Sequence, residues 1–193
     1  MGKLIFILFQ AALINNFILV RFLGVTSLID NTFHMETAIG MGFAVSLVMV
    51  MASVITWFIN SLILVPLGAS FLQLVFFMMT IVILIQVLAL YLGQKKTKWH
   101  QQLGGYVPLL VTNCAILGVT VLNVQSQLTL IESLFASLGA GLGFLLILVV
   151  MTSLRERLEG ADVPRSFRGV PILFVTAAIL SLALTVFSSF PVH

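Results

Sequence analysis

Six long apolar stretches run along this chain, at 4–23, 38–65, 71–92, 103–122, 128–154 and 170–190, with short polar gaps between them. Each is close to the roughly 20 mostly apolar residues that a helix needs to cross the hydrocarbon of a bilayer. Pro66 and Gly68 divide the second from the third. KKTKWH at 95–100 divides the third from the fourth, and RERLEGADVPRSFR at 155–168 divides the fifth from the sixth. The pattern predicts an all-α integral membrane protein of six transmembrane helices, in which 1–193 is a single transmembrane domain with no soluble domain beside it.

An internal repeat organises these spans. Asn16 opens NFILVRFLG and Asn113 opens NCAILG, so each string sets an amide inside an apolar span and closes on Leu-Gly. Further along each half comes G-x-G-F, as Gly40 to Phe43 and as Gly141 to Phe144, at an offset of roughly 100 residues. A copy that holds three crossings must place the next copy upside down, which makes the halves, about 1–95 and 101–193, two inverted three-helix repeats. Such repeats pair broken helices near the bilayer midplane, where unwound backbone is tolerated only inside protein or against a cavity. Helices one and four are therefore expected to break, at Asn15 and Asn16 and at Thr112, Asn113 and Cys114. A single membrane Asn is ordinarily glue between helices, at about 0.6–2 kcal/mol. The matched pair in opposite orientations favours a shared central site instead. Gly139 with Gly143, and Ala38 with Gly42, are small residues at four-residue spacing and suit close helix packing. Lying inside spans and after no strand, they form no phosphate loop.

Composition narrows the class. The chain is 61% hydrophobic and 8% charged, against about 45–50% and 25% in soluble domains, and its charges fall in the gaps. A soluble fold is excluded. Its net charge of +3 comes from Lys and Arg at a membrane surface rather than from a basic face on a soluble body, so the bilayer is a partner and nucleic acid is not. Lys3 stands alone on the N-terminal side, against Arg21, Lys95, Lys96, Lys98, Arg155, Arg157, Arg165 and Arg168 on the other. By the positive-inside rule both termini face away from the cytoplasm, and the loops after spans one, three and five face it. Dropping Arg21, which can be placed within a span, leaves the assignment standing. No A-x-A cleavage site follows the first span, which is read as retained.

Candidate chemistry is sparse. There is no H-E-x-x-H, G-x-S-x-G or Walker loop, so hydrolysis and phosphoryl transfer have no machinery here. His34, His100 and His193 fall in loops or at the terminus and read as solvated. No Asp or Glu sits near the centre of a span, which disfavours a stand-alone proton or sodium antiporter. Glu36 and Glu132 lie at span edges and read as anchors. A single cysteine, Cys114, rules out an intrachain disulfide. A lone membrane cysteine is ordinarily a small hydrophobe, but this one follows Asn113 at the expected break, where a thiolate could ligate a soft metal or an iron-sulfur cluster.

The strings NNFILVRFLG, PLLVTNCAILGV and RERLEGADVPRSFRG, at these separations and over essentially the whole chain, resemble one membrane family. It holds the A subunit of the Rnf ion-translocating oxidoreductase complex and the similar E subunit of the Na⁺-translocating NADH:quinone oxidoreductase (Nqr). The resemblance implies a protein of the bacterial inner membrane that pairs with a homologous membrane subunit of opposite topology, like the E subunit of Rnf or the D subunit of Nqr, within a larger complex. It implies a [2Fe-2S] cluster shared by that pair near the membrane centre, two cysteines from each, through which electrons cross. Cys114 takes the second of this chain's two ligand positions, and Asn16 and Asn113 shape the break around it. The first position, just after Leu23 and Gly24, holds Thr26, whose neutral hydroxyl is a poor substitute for a thiolate on iron. Three readings follow: a cluster with three cysteines and an unusual fourth ligand, no cluster and Cys114 a relic, or a divergent member that no longer passes electrons. The function implied is a non-autonomous subunit of a redox-driven pump that couples electron flow from ferredoxin or NADH to Na⁺ or H⁺ movement. The alternatives are a subunit of the Nqr type, a small inverted-repeat solute transporter without redox chemistry, and a scaffold that only anchors partners.

Overall fold

The computed structural model describes residues 2–14, 20–21, 23–25, 35–94, 110–111, 113–160, 162, 164 and 167–188. Among them helices dominate and no strand occurs. Helix α1, Gly2–Phe9, runs into a π turn at Gln10–Ile14. Helix α2, Met35–Ile59, ends in another at Asn60–Leu64, and a 3-10 turn at Ser70–Leu72 leads into α3, Gln73–Gln94. The second half contains α4, Cys114–Gln125, α5, Leu130–Glu159, and α6, Val170–Ser188.

Among the described residues three stretches are long and apolar enough to cross a membrane: Met35–Leu64, Ser70–Leu90 and Leu130–Leu158. Gly2–Ala12, Cys114–Gln125 and Val170–Ala183 are apolar but shorter. Of the six spans that the sequence pattern predicts, the first, fourth and sixth extend into residues outside the described ones. At the break expected in span four, Leu110 and Val111 are helical, Asn113 has an extended backbone at φ −75° and ψ 104°, and α4 begins at Cys114. The break expected in span one falls on Asn15 and Asn16, which lie outside the described residues, as do Thr26, Thr112 and the basic run 95–100.

Contacts fix the helix directions. Contact positions that rise along α2 fall along α5: Gly42 lies against Leu145, Ser46 against Gly141 and Ser53 against Ser133. The two long helices are antiparallel. Positions on α1 and its π turn instead rise with α5, since Lys3 meets Glu132, Leu8 meets Gly139 and Ala12 meets Gly143. A turn of four residues, 126–129, folds α4 back against α5. Corresponding elements of the two halves, α1 with α4 and α2 with α5, thus run in opposite directions.

Local signals explain the ends. Thr129 and Glu132 form a capping box, each side chain accepting from the other's backbone N–H, at 3.4 and 3.1 Å, which satisfies donors that a helix start leaves bare. Glu132 also pairs with Lys3 at 2.6 Å. Arg155 and Arg157 lie roughly 35 Å further along α5 at 1.5 Å per residue, which places the two charge groups at opposite ends of the bundle. Gly68, at φ +61°, closes the turn after Pro66 between α2 and α3.

Lipid tails are as apolar as leucine, so these helices associate by close packing and interhelical hydrogen bonds rather than by a hydrophobic drive. Glycine on α5 supplies the closeness. A Cβ at Gly139 would strike the Leu8 carbonyl, one at Gly143 the Ala12 carbonyl, and one at Gly141 would lie 2.8 Å from the Ser46 Cβ. Ser46 Oγ donates within the same crossing, to Gly42 O at 2.7 Å or Gly141 O at 2.8 Å. Around this crossing Met41, Val45, Val48, Phe144, Leu148 and Met151 are buried. Ile83, Val87 and Leu90 of α3, and Ile179 and Leu182 of α6, are exposed apolar positions on the outer faces.

Gly139→Val or Gly143→Val should cost about 1–3 kcal/mol through overpacking, read as a lower Tm in detergent. Gly2→Ala, with nothing within 4 Å of the added Cβ, should leave Tm unchanged.

Candidate functional site

The interrupted fourth span places its polar groups with precision. Asn113 is 3% exposed, and its Oδ1 accepts from the Ala115 N–H at 3.0 Å, capping α4. An Asn in apolar surroundings thereby satisfies an orphan donor of the helix start. Cys114 is the first residue of α4 and is exposed on the surface of the chain.

The first half reaches this point through Gly24. Its backbone N–H donates to Cys114 Sγ at 3.0 Å, across ninety positions of sequence. Gly24 holds φ +82°, and a Cβ there would lie 2.8 Å from Phe144 Cε2 and 3.2 Å from both Ala115 Cβ and Asn113 Oδ1. Only glycine meets both the backbone angle and the space. The Leu-Gly that closes the first Asn-bearing string therefore packs onto the Asn-Cys of the second. The sulfur sits where partial positive charge collects, between this N–H and the N-terminal end of α4.

The level of this contact follows from Phe144. It stands midway along α5, roughly 21 Å from either end at 1.5 Å per residue, so the Gly24–Cys114 contact is level with the middle of the long helix.

Of the residues picked from sequence, Asn113 and Cys114 are together here, while Asn16 and Thr26 lie outside the described residues. Sequence reasoning missed Gly24 as a donor and Phe144 as its wall. The shared Leu-Gly ending of the two strings was the available signal for Gly24. It also missed a buried network on the N-terminal side of this contact. Asn123 Nδ2 lies 2.7 Å from Ser53 Oγ, 3.0 Å from Ser133 Oγ and 3.0 Å from Ser137 Oγ, and the Ser53 and Ser133 hydroxyls are 2.8 Å apart. It ties α2, α4 and α5 together. The spacing of Ser133 and Ser137, one helical turn apart, was its only local mark. Among the described residues no group of three or more His, Cys, Asp or Glu gathers as a metal site.

An all-helical membrane protein whose polar groups at an interrupted helix meet level with the middle of its long helix is the class that this geometry defines. The model of the family described as "Rnf-Nqr subunit, membrane protein" matches residues 4–190. The chain belongs to that family. It is 42% identical over 185 residues, 96% of each chain, to the A subunit of the Na(+)-translocating ferredoxin:NAD(+) oxidoreductase complex of Acetobacterium woodii. It is 43% identical over 183 residues, 95% of each, to the A subunit of the ion-translocating oxidoreductase complex of Syntrophotalea carbinolica. The same-named protein of Actinobacillus pleuropneumoniae is 42% identical over 179 residues, 93% of each.

Gly24→Ala should destabilise the chain by about 1–3 kcal/mol, the usual cost of a residue held in left-handed backbone. Asn113→Ala should cost about 1 kcal/mol through the lost cap. Thermal unfolding of the purified variants measures both.

Proposed function

We propose that the chain is a membrane subunit of a bacterial ion-translocating oxidoreductase complex of the Rnf type, and that its mid-membrane site helps carry electrons across the bilayer. The carrying observation is the contact of Gly24 N–H with Cys114 Sγ, which joins the two halves of the chain level with the middle of α5. Near-complete coverage of relatives named as the A subunit of such complexes supports the assignment.

For a [2Fe-2S] cluster shared with a homologous subunit of opposite topology this chain would supply one thiolate, Cys114, with Thr26 at the other expected position. Cys114 offers one sulfur, on the outside of the chain where a partner can add ligands, and the backbone N–H of Gly24 meets that sulfur at 3.0 Å. Such hydrogen bonds tune the potential of iron-sulfur centres. When bound, the cluster supplies one-electron transfer. Cys114 would hold the metal, while Gly24 donates to its sulfur, Asn113 fixes the start of α4, and Phe144 packs against Gly24 from inside. Asn16 is assigned to the matching break of the first half, and Thr26 to the ligand position where this chain brings a hydroxyl.

Nucleotide and flavin chemistry belongs to other subunits, and electron flow is coupled to Na⁺ or H⁺ movement. Both termini are assigned to the non-cytoplasmic side, on the Lys and Arg distribution. Thr26 favours a second reading, a small solute transporter without redox chemistry, because one ligand of the expected pair is not a cysteine.

Purification in mild detergent should bring down flavin- and iron-sulfur-bearing subunits, with a reduced [2Fe-2S] EPR signal that disappears in Cys114→Ala. A lone homodimer that moves solute, or no iron beyond that of the other subunits, overturns the redox reading.

A further inference from the structure

Gln86 carries a bare amide inside an apolar helix. Beyond it α3 continues through 87–92, Val-Leu-Ala-Leu-Tyr-Leu, before Gly93 and Gln94, which is roughly 9 Å of further helix at 1.5 Å per residue. Side chains of a helix lean toward its N-terminus, so this amide leans away from the nearer end and into the span. It is exposed, and among the described residues it makes no hydrogen bond. Hydroxyls of the same bundle are answered locally: Ser46, Thr56, Thr80, Thr152 and Ser153 each donate to the carbonyl one turn back. Gln86 has no such bond, and lipid tails offer none.

The core fixes its direction. Ile81 and Ile85 of α3 are buried in the main apolar cluster, and Phe77, nine residues before Gln86, is fully buried. Nine residues at about 3.6 per turn make two and a half turns, so Gln86 lies on the side of α3 opposite Phe77 and the bundle. Around it Phe76, Met79, Ile83 and Leu90 are exposed. With Gln86 they follow one another at steps of three, four, three and four residues. That is the seam of a left-handed helix pair, the commoner packing of membrane helices, and one polar residue in such a seam fixes its register.

We propose that the stripe Phe76, Met79, Ile83, Gln86 and Leu90 of α3 seats one transmembrane helix of another subunit of the complex, and that this helix carries a side-chain amide or hydroxyl level with Gln86. This rests on the reading of the chain as one subunit among several. A glutamine amide both donates and accepts, so either kind of polar group completes it, and the surrounding apolar seam keeps the bond dry. Membrane helices come close where small residues line the contact. The four apolar members of the stripe are all bulky, so Gly, Ala or Ser must come from the partner. A second copy of the stripe does not offer them.

The test uses the whole complex in its own membranes. A benzophenone amino acid placed at Ile83 or at Leu90, with Gln86 unchanged, should on illumination join the chain to the same subunit from both positions. Peptide mapping should place both bonds in one transmembrane segment that holds small residues and an amide or hydroxyl side chain. Gln86→Leu should raise the Kd of that subunit, read from its dissociation on dilution in mild detergent, by about three- to thirtyfold, the range for a hydrogen bond between membrane helices. Gln86→Met, of similar length without the amide, is the second variant if Gln86→Leu does not assemble, and the crosslinks decide if neither does. Bonds to lipid alone, or to a second copy of this chain, overturn the proposal. An unchanged Kd in an assembled apolar variant also overturns it, since the amide then has no partner there. If the unmodified chain brings down no other subunit, the complex reading fails together with this one, which separates that failure from the others.

Discussion

Inside a bilayer apolar side chains gain nothing by meeting one another, so a helical bundle must hold itself by backbone closeness and by hydrogen bonds that water cannot replace. Here both converge on one helix. Gly139 and Gly143 receive the backbone of α1 and its π turn, Gly141 receives Ser46, and Gly42 of α2 receives Leu145. The face-to-face crossing of α2 and α5 sets where every other element can sit. The π turn at Gln10–Ile14 is held against it, and Gly24 reaches Phe144 from beyond that turn.

That crossing also sets the level of the polar site. Phe144 belongs to the middle of α5, and Gly24 packs at once against Phe144, Asn113 and Ala115, which brings the start of α4 level with that point. The broken start of α4 is stable there because its polar groups are answered from within the protein, by the Asn113 amide and by the turn at Gly24 in the first half. A helix that ran unbroken through this point would present no side chain at its axis to a partner. The interruption turns a span into a site.

Much of this was legible in the chain, and the rest was hidden for physical reasons. Apolar length alone identifies a membrane protein, and small residues at four-residue spacing identify packing faces, because both depend on local composition. Asn113 was visible because an amide in an apolar run must find a partner. The break before α4 was expected from the amide of Asn113 and not from hydropathy, which continues through it, so that 103–122 reads as a whole span. Gly24 as a donor depends on a backbone angle and on a contact ninety positions away. The Asn123 network needs three helices to be in place before Ser53, Ser133 and Ser137 become neighbours. Asn16 and Thr26 lie outside the described residues, so the first half of the site is known through Gly24 alone.

The ion pair of Lys3 with Glu132 has a bearing on how the chain is made. Synthesis delivers Lys3 first and Glu132 more than a hundred residues later, so the start of α1 must wait in the membrane for a helix of the other half. Until α5 arrives, the surface that will meet Gly139 and Gly143 has no glycine to meet. The first half is therefore inserted early and docked late, and its orientation in the bilayer must be secured by something other than its final contacts.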